Sequence, residues 1–127
     1  MTHNPGFERL VEKIRSRVSE CRVREVKDWQ NCQEPFHFLD VREDHEWMID
    51  HAQGAVHLGR GILERDIETL IPDKNAKIVL YCGGGYRSVL AAMNLMEMGY
   101  TRVASMEGGI KAWRQAGFPV EPGPNSL

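Results

Sequence analysis

The sequence has no long apolar run and no excess of charge of one sign. No stretch of its 127 residues approaches the ~20 consecutive apolar residues that cross a bilayer. The formal net charge is only -2, so no overall positive field would attract nucleic acid or an anionic membrane. We therefore predict a protein that has neither nucleic acid nor membrane among its partners.

The amino-terminal residues also lack the features of a secretion signal. In MTHNPGFERLVEKIRSRVSE the apolar residues are separated by charges, and no continuous apolar core is present. The expected location is therefore the cytoplasm.

Cysteines are few and are not paired in the sequence. Cys21, Cys32 and Cys82 form no Cys-x-x-Cys motif. This pattern argues against a disulfide scaffold and against a zinc finger. A disulfide between Cys82 and either of the other two stays open from the sequence.

Three histidines recur at a regular spacing that does not suit a metal site. His45, His51 and His57 are six residues apart, which does not place them on one face of a helix, and Gly54 interrupts the segment. We expect surface or loop histidines here, and no metal ligand is assigned.

The sequence does contain an alternation of strand-like and helix-like segments. The strand-like runs are 36–41 (FHFLDV), 77–81 (KIVLY) and 101–105, and helical patterns cover 62–71, 88–98 and 110–116. Such alternation predicts an α/β domain with a mostly parallel sheet.

The first third of the chain predicts a helix and then a short strand. Asn4 and Pro5 precede apolar residues at helical spacing, as at the start of a helix. Residues 23–26 are expected to form a short strand that leads into a brief helix around Trp29. We divide the chain into a helical extension (1–21), a main domain (22–121) and a carboxyl-terminal tail (122–127).

One loop, VLYCGGGYRS at residues 79–88, carries chemistry. Ligands of parallel sheets bind beyond the carboxyl ends of the strands, and Cys82 directly follows such a strand. Gly83 to Gly85 permit positive φ angles and inward-pointing N–H groups, and a helix follows. Amides at a helix amino terminus favour an anion and stabilise a thiolate, and Arg87 can add charge or brace the loop. The loop therefore predicts a site built around a negatively charged Cys82 sulfur.

The length of the loop separates two chemistries. Thiolate-loop protein phosphatases carry five residues between the Cys and the Arg, enough for the amides to surround a tetrahedral phosphate. Here four residues intervene, Gly83 to Tyr86. The shorter loop favours a single sulfur atom on Cys82 over a phosphatase or an arsenate reductase, which stay as alternatives.

The sequence resembles the rhodanese family in several motifs that occur in the family's order. Its active loop has the pattern Cys-x-x-Gly-x-Arg-Ser/Thr, and the others are an Asp-Val-Arg segment, a Gly-His-Ile-Pro-Gly-Ala segment, a closing Gly-Gly-x-x-x-Trp and a Gly-x-Pro-Val ending. Cys82, Gly85, Arg87 and Ser88 match the loop, and Asp40-Val41-Arg42-Glu43 matches the Asp-Val-Arg segment. Residues 50–55 match the third segment except for its first glycine and its proline. Residues 108–113 match the closing Gly-Gly-x-x-x-Trp, and residues 117–120 match the ending.

The resemblance implies a fold and an activity. The fold is rhodanese-like, with a mostly parallel five-stranded sheet and helices on both faces, over the rhodanese domain at 22–121. The activity is that of a sulfurtransferase, in which Cys82 takes a sulfane sulfur from a donor, becomes a persulfide and passes the sulfur to a thiophilic acceptor. The partners are the sulfur donor and acceptor, each a small molecule or a protein, and neither a metal nor an organic cofactor is required.

The resemblance also assigns roles to individual residues. Cys82 is the catalytic residue, and Asp40 and Arg42 support the loop from behind. The residues expected to hold substrate and persulfide are Gly83, Gly84, Gly85, Tyr86, Arg87 and Ser88.

One departure from the family's pattern affects which sulfur donor is expected. Many thiosulfate-using members carry Arg directly after the Cys, whereas this chain has Gly83. A persulfide donor is therefore as well supported as thiosulfate. Arg60 and Arg65 are expected to supply the missing charge near the mouth of the site. A non-enzymatic rhodanese-fold module for binding or redox sensing is the main alternative, although such members usually lack the Cys.

Overall fold

The main sheet is built from short strands that all run parallel. The computed structural model describes residues 3–123. Across the sheet the strands are, in order, β1 (Ser19–Cys21), β6 (Arg102–Met106), β5 (Lys77–Tyr81), β2 (His37–Asp40) and β4 (Val56–His57). A second, two-stranded antiparallel sheet pairs β3 (Asp50–Ala52) with β7 (Val120–Pro122). The predicted α/β class and five-stranded parallel sheet are confirmed.

Within residues 3–123, six helices lie on both faces of the sheet, as predicted for the arrangement of helices. They are α1 (Pro5–Arg15), α2 (Val23–Asn31), α3 (Asp44–Ile49), α4 (Leu63–Leu70), α5 (Arg87–Glu97) and α6 (Gly109–Gln115). Side chains alternate along β5, because successive residues of a strand point to opposite faces. Ile78 and Leu80 join the core beneath α1, α4 and α5, whereas Val79 and Tyr81 join the core beneath α2, α3 and α6.

The first third of the chain differs from expectation. The short strand lies at Ser19–Cys21, and residues 23–26, predicted as a strand, form the start of α2. The main-chain N–H of Arg22 donates to the Glu25 carboxylate at 2.9 Å, which favours a helix start at this point. The segment 1–21 therefore contributes an edge strand to the sheet as well as α1.

The carboxyl-terminal end also carries more structure than a loose tail suggests. Strand β7 ends at Pro122, within the segment expected to be a tail. Residues 124–127 lie outside the described residues. Among the helices within 3–123, none is long and apolar enough to cross a membrane.

Helix α1 packs against α5, the helix that follows the loop. Val11 of α1 is fully buried, and Phe7 and Ile14 pack against the same core. These three residues belong to the apolar set whose helical spacing predicted this helix, and they form its contact face. As a result, the amino end of α1 lies beside the loop that begins at Cys82.

The turn before α6 is pressed against the end of β5. The N–H of Ile110 donates to the Cys82 carbonyl oxygen at 2.9 Å, and the N–H of Lys111 donates to that of Gly83 at 3.2 Å. Gly109 has a φ of 55°, and a Cβ on it would overlap both carbonyl oxygens. The Gly-Gly pair of the closing motif thus permits a backbone contact that no larger residue allows.

This contact leads to a prediction about stability. Gly109→Ala should lower the free energy of unfolding by about 3 kcal/mol or more, because the new methyl group adds a steric clash to the cost of a positive φ. Urea unfolding followed by circular dichroism measures the change.

Gly117→Ala is the matched control, since Gly117 also has a positive φ, 77°, but open space around it. It should cost only about 1 to 2 kcal/mol. Equal losses in the two variants would contradict the role of the close backbone contact.

Candidate active site

Cys82 lies at the carboxyl end of β5, and main-chain amides point at its sulfur. The Sγ atom accepts hydrogen bonds from the N–H groups of Gly85 at 3.1 Å and of Ser88 at 3.4 Å. Ser88 is in the first turn of α5, so the second amide belongs to a helix amino terminus. Amides in this arrangement stabilise a negative sulfur. Cys82 itself is only 1% exposed, so its sulfur is held at the bottom of the site.

The three glycines do not behave alike. Of Gly83, Gly84 and Gly85, only Gly85 has a positive φ, 92°, so the expectation for the other two is wrong. A Cβ on Gly85 would lie 2.9 Å from the main-chain nitrogen of Gly108. The backbone of the loop is therefore fitted to the turn before α6, and that fit directs the Gly85 N–H toward the sulfur.

A buried pair of hydroxyl groups lies behind the sulfur. Ser88 Oγ is 3.4 Å from Cys82 Sγ and 2.7 Å from the Oγ of Ser105, a residue of β6. Both serines are fully buried. Ser105 is a neighbour that the sequence reasoning missed, since nothing in its local sequence distinguishes it from a core position.

Arg87 forms a bidentate ion pair with Glu46 of α3. The two Nη atoms lie 3.0 and 3.3 Å from the carboxylate oxygens. The hydrogen bond to Glu46 raises the pKa of Arg87. Burial alone would raise the pKa of Glu46, but the bonds from Arg87 and from the Glu43 N–H outweigh it and hold that pKa below its usual value. Arg42 and Glu46 are four residues apart, a spacing at which an ion pair can form on a helix. The partner to which Glu46 is bonded is nevertheless Arg87.

Asp40 and Arg42 form a buried ion pair behind the loop. Arg42 Nη2 lies 2.8 Å from Asp40 Oδ2 and 2.6 Å from the Asp50 carbonyl oxygen. Burial tends to lower the pKa of Arg42, but the bonds and charge of Asp40 reverse this and raise it.

Neither side chain of this pair lines the pocket above Cys82. The segment reaches the loop through its backbone, because the Val41 N–H donates at 3.0 Å to the carbonyl oxygen of Tyr81, the residue before Cys82.

A pocket of about 570 Å³ opens above the sulfur. Its positive charges come from Arg87 and from Lys111 on α6, and not from the two arginines expected from the sequence. Arg60 pairs with Glu64 and Arg65 with Asp66. The lining residues are His3, Phe7, Glu46, Cys82, Gly83, Gly84, Tyr86, Arg87 and Lys111.

The other two cysteines do not pair with Cys82. All three are free thiols in the structure. Cys21 is buried, and its burial raises the pKa of the thiol to about 12. Cys32 is exposed at the end of α2. Cys82 is therefore the one thiol of the three that combines a pocket with amides directed at its sulfur.

Two of the three regularly spaced histidines belong to an aromatic stack. The His51 ring lies 3.5 Å from that of Trp47, and the His57 ring 5.0 Å from it. His51 is fully buried, which differs from the loop or surface position expected, and neither ring lines the pocket. Within residues 3–123, no group of three or more His, Cys, Asp or Glu side chains is placed to hold a metal ion.

Comparison with known proteins agrees with this geometry. The family model for the rhodanese-like domain matches residues 22–116. The thiosulfate sulfurtransferase PspE of Escherichia coli (strain K12) is 39% identical over 75 residues, which cover 59% of this chain and 71% of PspE. The thiosulfate sulfurtransferase GlpE of Actinobacillus pleuropneumoniae serotype 7 (strain AP76) is 32% identical over 82 residues, or 65% of this chain and 74% of GlpE.

A solved structure matches over almost the whole chain. It is a protein of unknown function from Rhodopseudomonas palustris CGA009, described as a possible tyrosine phosphatase, with 28% identity and a TM-score of 0.83. The match covers 95% of this chain and 98% of that one, so it includes the amino-terminal helix as well as the domain. On the family model and these relatives together, the chain belongs to the family of rhodanese-like domain proteins.

Proposed function

We propose that this protein is a sulfurtransferase that carries sulfur as a persulfide on Cys82. The observation that supports this most directly is the pair of amides, from Gly85 and Ser88, that point at the Cys82 sulfur at the base of an open pocket. Two relatives named thiosulfate sulfurtransferase point to the same class of reaction. The cytoplasm remains the location predicted from the sequence.

The reaction has two displacement steps and no net oxidation. With thiosulfate as donor, the Cys82 thiolate attacks the sulfane sulfur, a new S–S bond forms, and sulfite leaves with the electron pair of the broken S–S bond. A nucleophilic acceptor then attacks the terminal sulfur of the persulfide, and the Cys82 thiolate leaves. A persulfide donor reacts in the same way and releases its thiolate.

The residues around Cys82 have separate tasks in this proposal. The amides of Gly85 and Ser88 stabilise the thiolate when it is the leaving group, because their N–H groups already point at it. Arg87 braces the loop through Glu46. Lys111 lines the pocket and attracts an anionic donor, a task that neither Arg60 nor Arg65 is placed to perform.

The phosphatase alternative is disfavoured by the loop. Four residues between Cys82 and Arg87 leave one fewer amide than thiolate-loop phosphatases use around a phosphate. In addition, Arg87 is held by both of its Nη atoms on Glu46. Turnover of p-nitrophenyl phosphate at a rate comparable to sulfur transfer would favour the phosphatase over our proposal.

One prediction of this proposal concerns which thiol carries the sulfur. After incubation with thiosulfate or a small persulfide, the intact mass should increase by one sulfur atom, and Cys82→Ser should abolish the gain because it removes the nucleophile. Electrospray mass spectrometry without reductant measures it. The matched control is Cys32→Ser, which removes an exposed thiol and should keep the full gain. Sulfur uptake by Cys82→Ser equal to that of the wild type would contradict the proposal.

Another prediction concerns the ion pair that braces the loop. The pKa of Glu46 is lower in the folded protein than its ordinary value of 4.5. Its contribution to stability is therefore complete above pH 4.5 and is lost as the pH falls through the lower folded value. Glu46→Gln should be less stable than the wild type at about pH 6.5, and this difference should shrink toward about pH 3.

Urea unfolding midpoints at the two pH values measure this difference. Glu97→Gln makes the same change at an exposed residue of α5 and should follow the wild type at both values. A difference between Glu46→Gln and the wild type that stays constant with pH would show that the ion pair is not its source.

A further inference from the structure

One wall of the Cys82 pocket is aromatic, and part of it comes from the amino-terminal segment. The His3 ring lies 4.2 Å from the ring of Tyr86 and 5.3 Å from that of Phe7, and the Phe7 and Tyr86 rings are 5.8 Å apart. The two separations that involve Phe7 are within the range of ring pairs that attract one another, and the His3 and Tyr86 rings are closer still. The three rings, which we call the aromatic wall, all line the pocket.

Two of these rings lie outside the part of the chain that matches the family model. The match begins at residue 22, whereas His3 precedes α1 and Phe7 is in its first turn. The general sulfur-transfer site is therefore completed here by an additional segment. The matched domain already supplies the sulfur and the amides. The additional segment therefore affects which molecules bind in the pocket.

Helix α1 holds the aromatic wall in a fixed position. Val11 is fully buried against the core, and the Arg15 guanidinium lies 5.5 Å from the centre of the Tyr86 ring. Arg15 in turn bonds to Glu20 at 2.6 Å. A ring surface that is fixed before the ligand arrives binds a flat apolar group with little loss of side-chain freedom.

The size and charge of the pocket indicate what kind of ligand it can bind. A volume of about 570 Å³ falls in the range of pockets that bind organic molecules, and a small inorganic anion such as thiosulfate would fill little of it. Lys111 lies exposed on the pocket lining and has no ion-pair partner among residues 3–123. The pocket thus offers a positive charge, a flat apolar surface and a nucleophilic sulfur together.

We propose that the preferred sulfur donor is an organic thiosulfonate or a similar anionic sulfane compound that carries an aromatic group. The ring would contact Phe7 and Tyr86, the oxygens would lie toward Lys111, and the sulfane sulfur would reach Cys82. This inference rests on the proposed sulfurtransferase function and specifies the substrate class of the same site.

The step balances without any further reactant. The Cys82 thiolate attacks the terminal sulfur of R–SO₂–S⁻, and a Cys82 S–S bond forms. The bond between that sulfur and the sulfonyl sulfur breaks, and the sulfinate R–SO₂⁻ leaves with its electron pair. The charge of each side is the same, and the product is the persulfide of the proposed reaction.

The test compares three donors with one enzyme preparation. Benzenethiosulfonate carries a ring, methanethiosulfonate has the same reactive group with only a methyl group, and thiosulfate is inorganic. With cyanide as acceptor, thiocyanate formation gives kcat/KM for each donor. The wild type should prefer benzenethiosulfonate over methanethiosulfonate by at least roughly fivefold, since the ring gains contact with the aromatic wall.

Variants of the aromatic wall show whether that preference comes from α1. His3→Ala and Phe7→Leu should each lower the ratio of kcat/KM for the aryl over the methyl donor by roughly threefold or more. The ratio is independent of the fraction of folded enzyme, because both donors are measured on the same preparation. Leu10→Ala is the matched control, since Leu10 is an exposed residue of α1 outside the pocket, and it should keep the wild-type ratio.

The outcomes separate this inference from the proposed function. If all three donors load sulfur on Cys82 but the wild type shows no preference for the ring, or both variants keep the wild-type ratio, the aromatic specificity is wrong and sulfur transfer stands. If no donor adds sulfur to the wild-type protein, the proposed function fails, and the inference fails with it.

Discussion

The shape of the Cys82 loop depends on a close contact between two stretches of backbone. Gly109 lies against the carbonyl oxygens of Cys82 and Gly83, and Gly85 lies against the main-chain nitrogen of Gly108. Each contact requires a residue without a side chain, and both glycines adopt positive φ angles. Because the loop is held in this way, two of its N–H groups are directed at one sulfur atom before any ligand binds. Flexible residues in the sequence thus become a rigid part of the fold.

Around the site, two arginine side chains are already paired with carboxylates. Arg87 is bonded to Glu46, and Arg42 is bonded to the buried Asp40. Such pairs orient backbone and side chains, and a neutralised cation attracts an incoming anion less strongly. Lys111 has no such partner among the described residues and lies on the pocket lining. This division explains how one small site can be both well braced and attractive to an anion.

The amino-terminal segment joins the fold at two places that matter to the site. Strand β1 extends the sheet next to β6, and α1 packs on the helix that follows the loop. The pairing of β1 with β6 fixes the amino-terminal segment at the edge of the sheet, and the packing of α1 on α5 brings Phe7 to the pocket. A segment outside the family match therefore shapes the space above Cys82. This contact is the physical basis for the donor preference that we propose.

The sequence by itself determined the fold class, the loop length and the choice of Cys82 as the candidate nucleophile. Cys82 follows a buried strand, four residues separate it from Arg87, and strands alternate with helices. These features are local, so they can be read along the chain. The start of α2 was predicted wrongly because residues 23–26 suit a strand by composition. The local signal that favours a helix there is Glu25, whose carboxylate accepts the N–H of Arg22.

Only the tertiary structure decided which distant residues surround the sulfur. Ser105, Glu46 and Lys111 come from three different elements, and their local sequences resemble ordinary core or surface positions. His3 and Phe7 reach the pocket because α1 packs on α5. The expected roles of Arg60 and Arg65 failed for the same reason, since each is paired within its own helical region. Neighbours in space are set by how helices pack on the sheet, and spacing along the chain does not encode that packing.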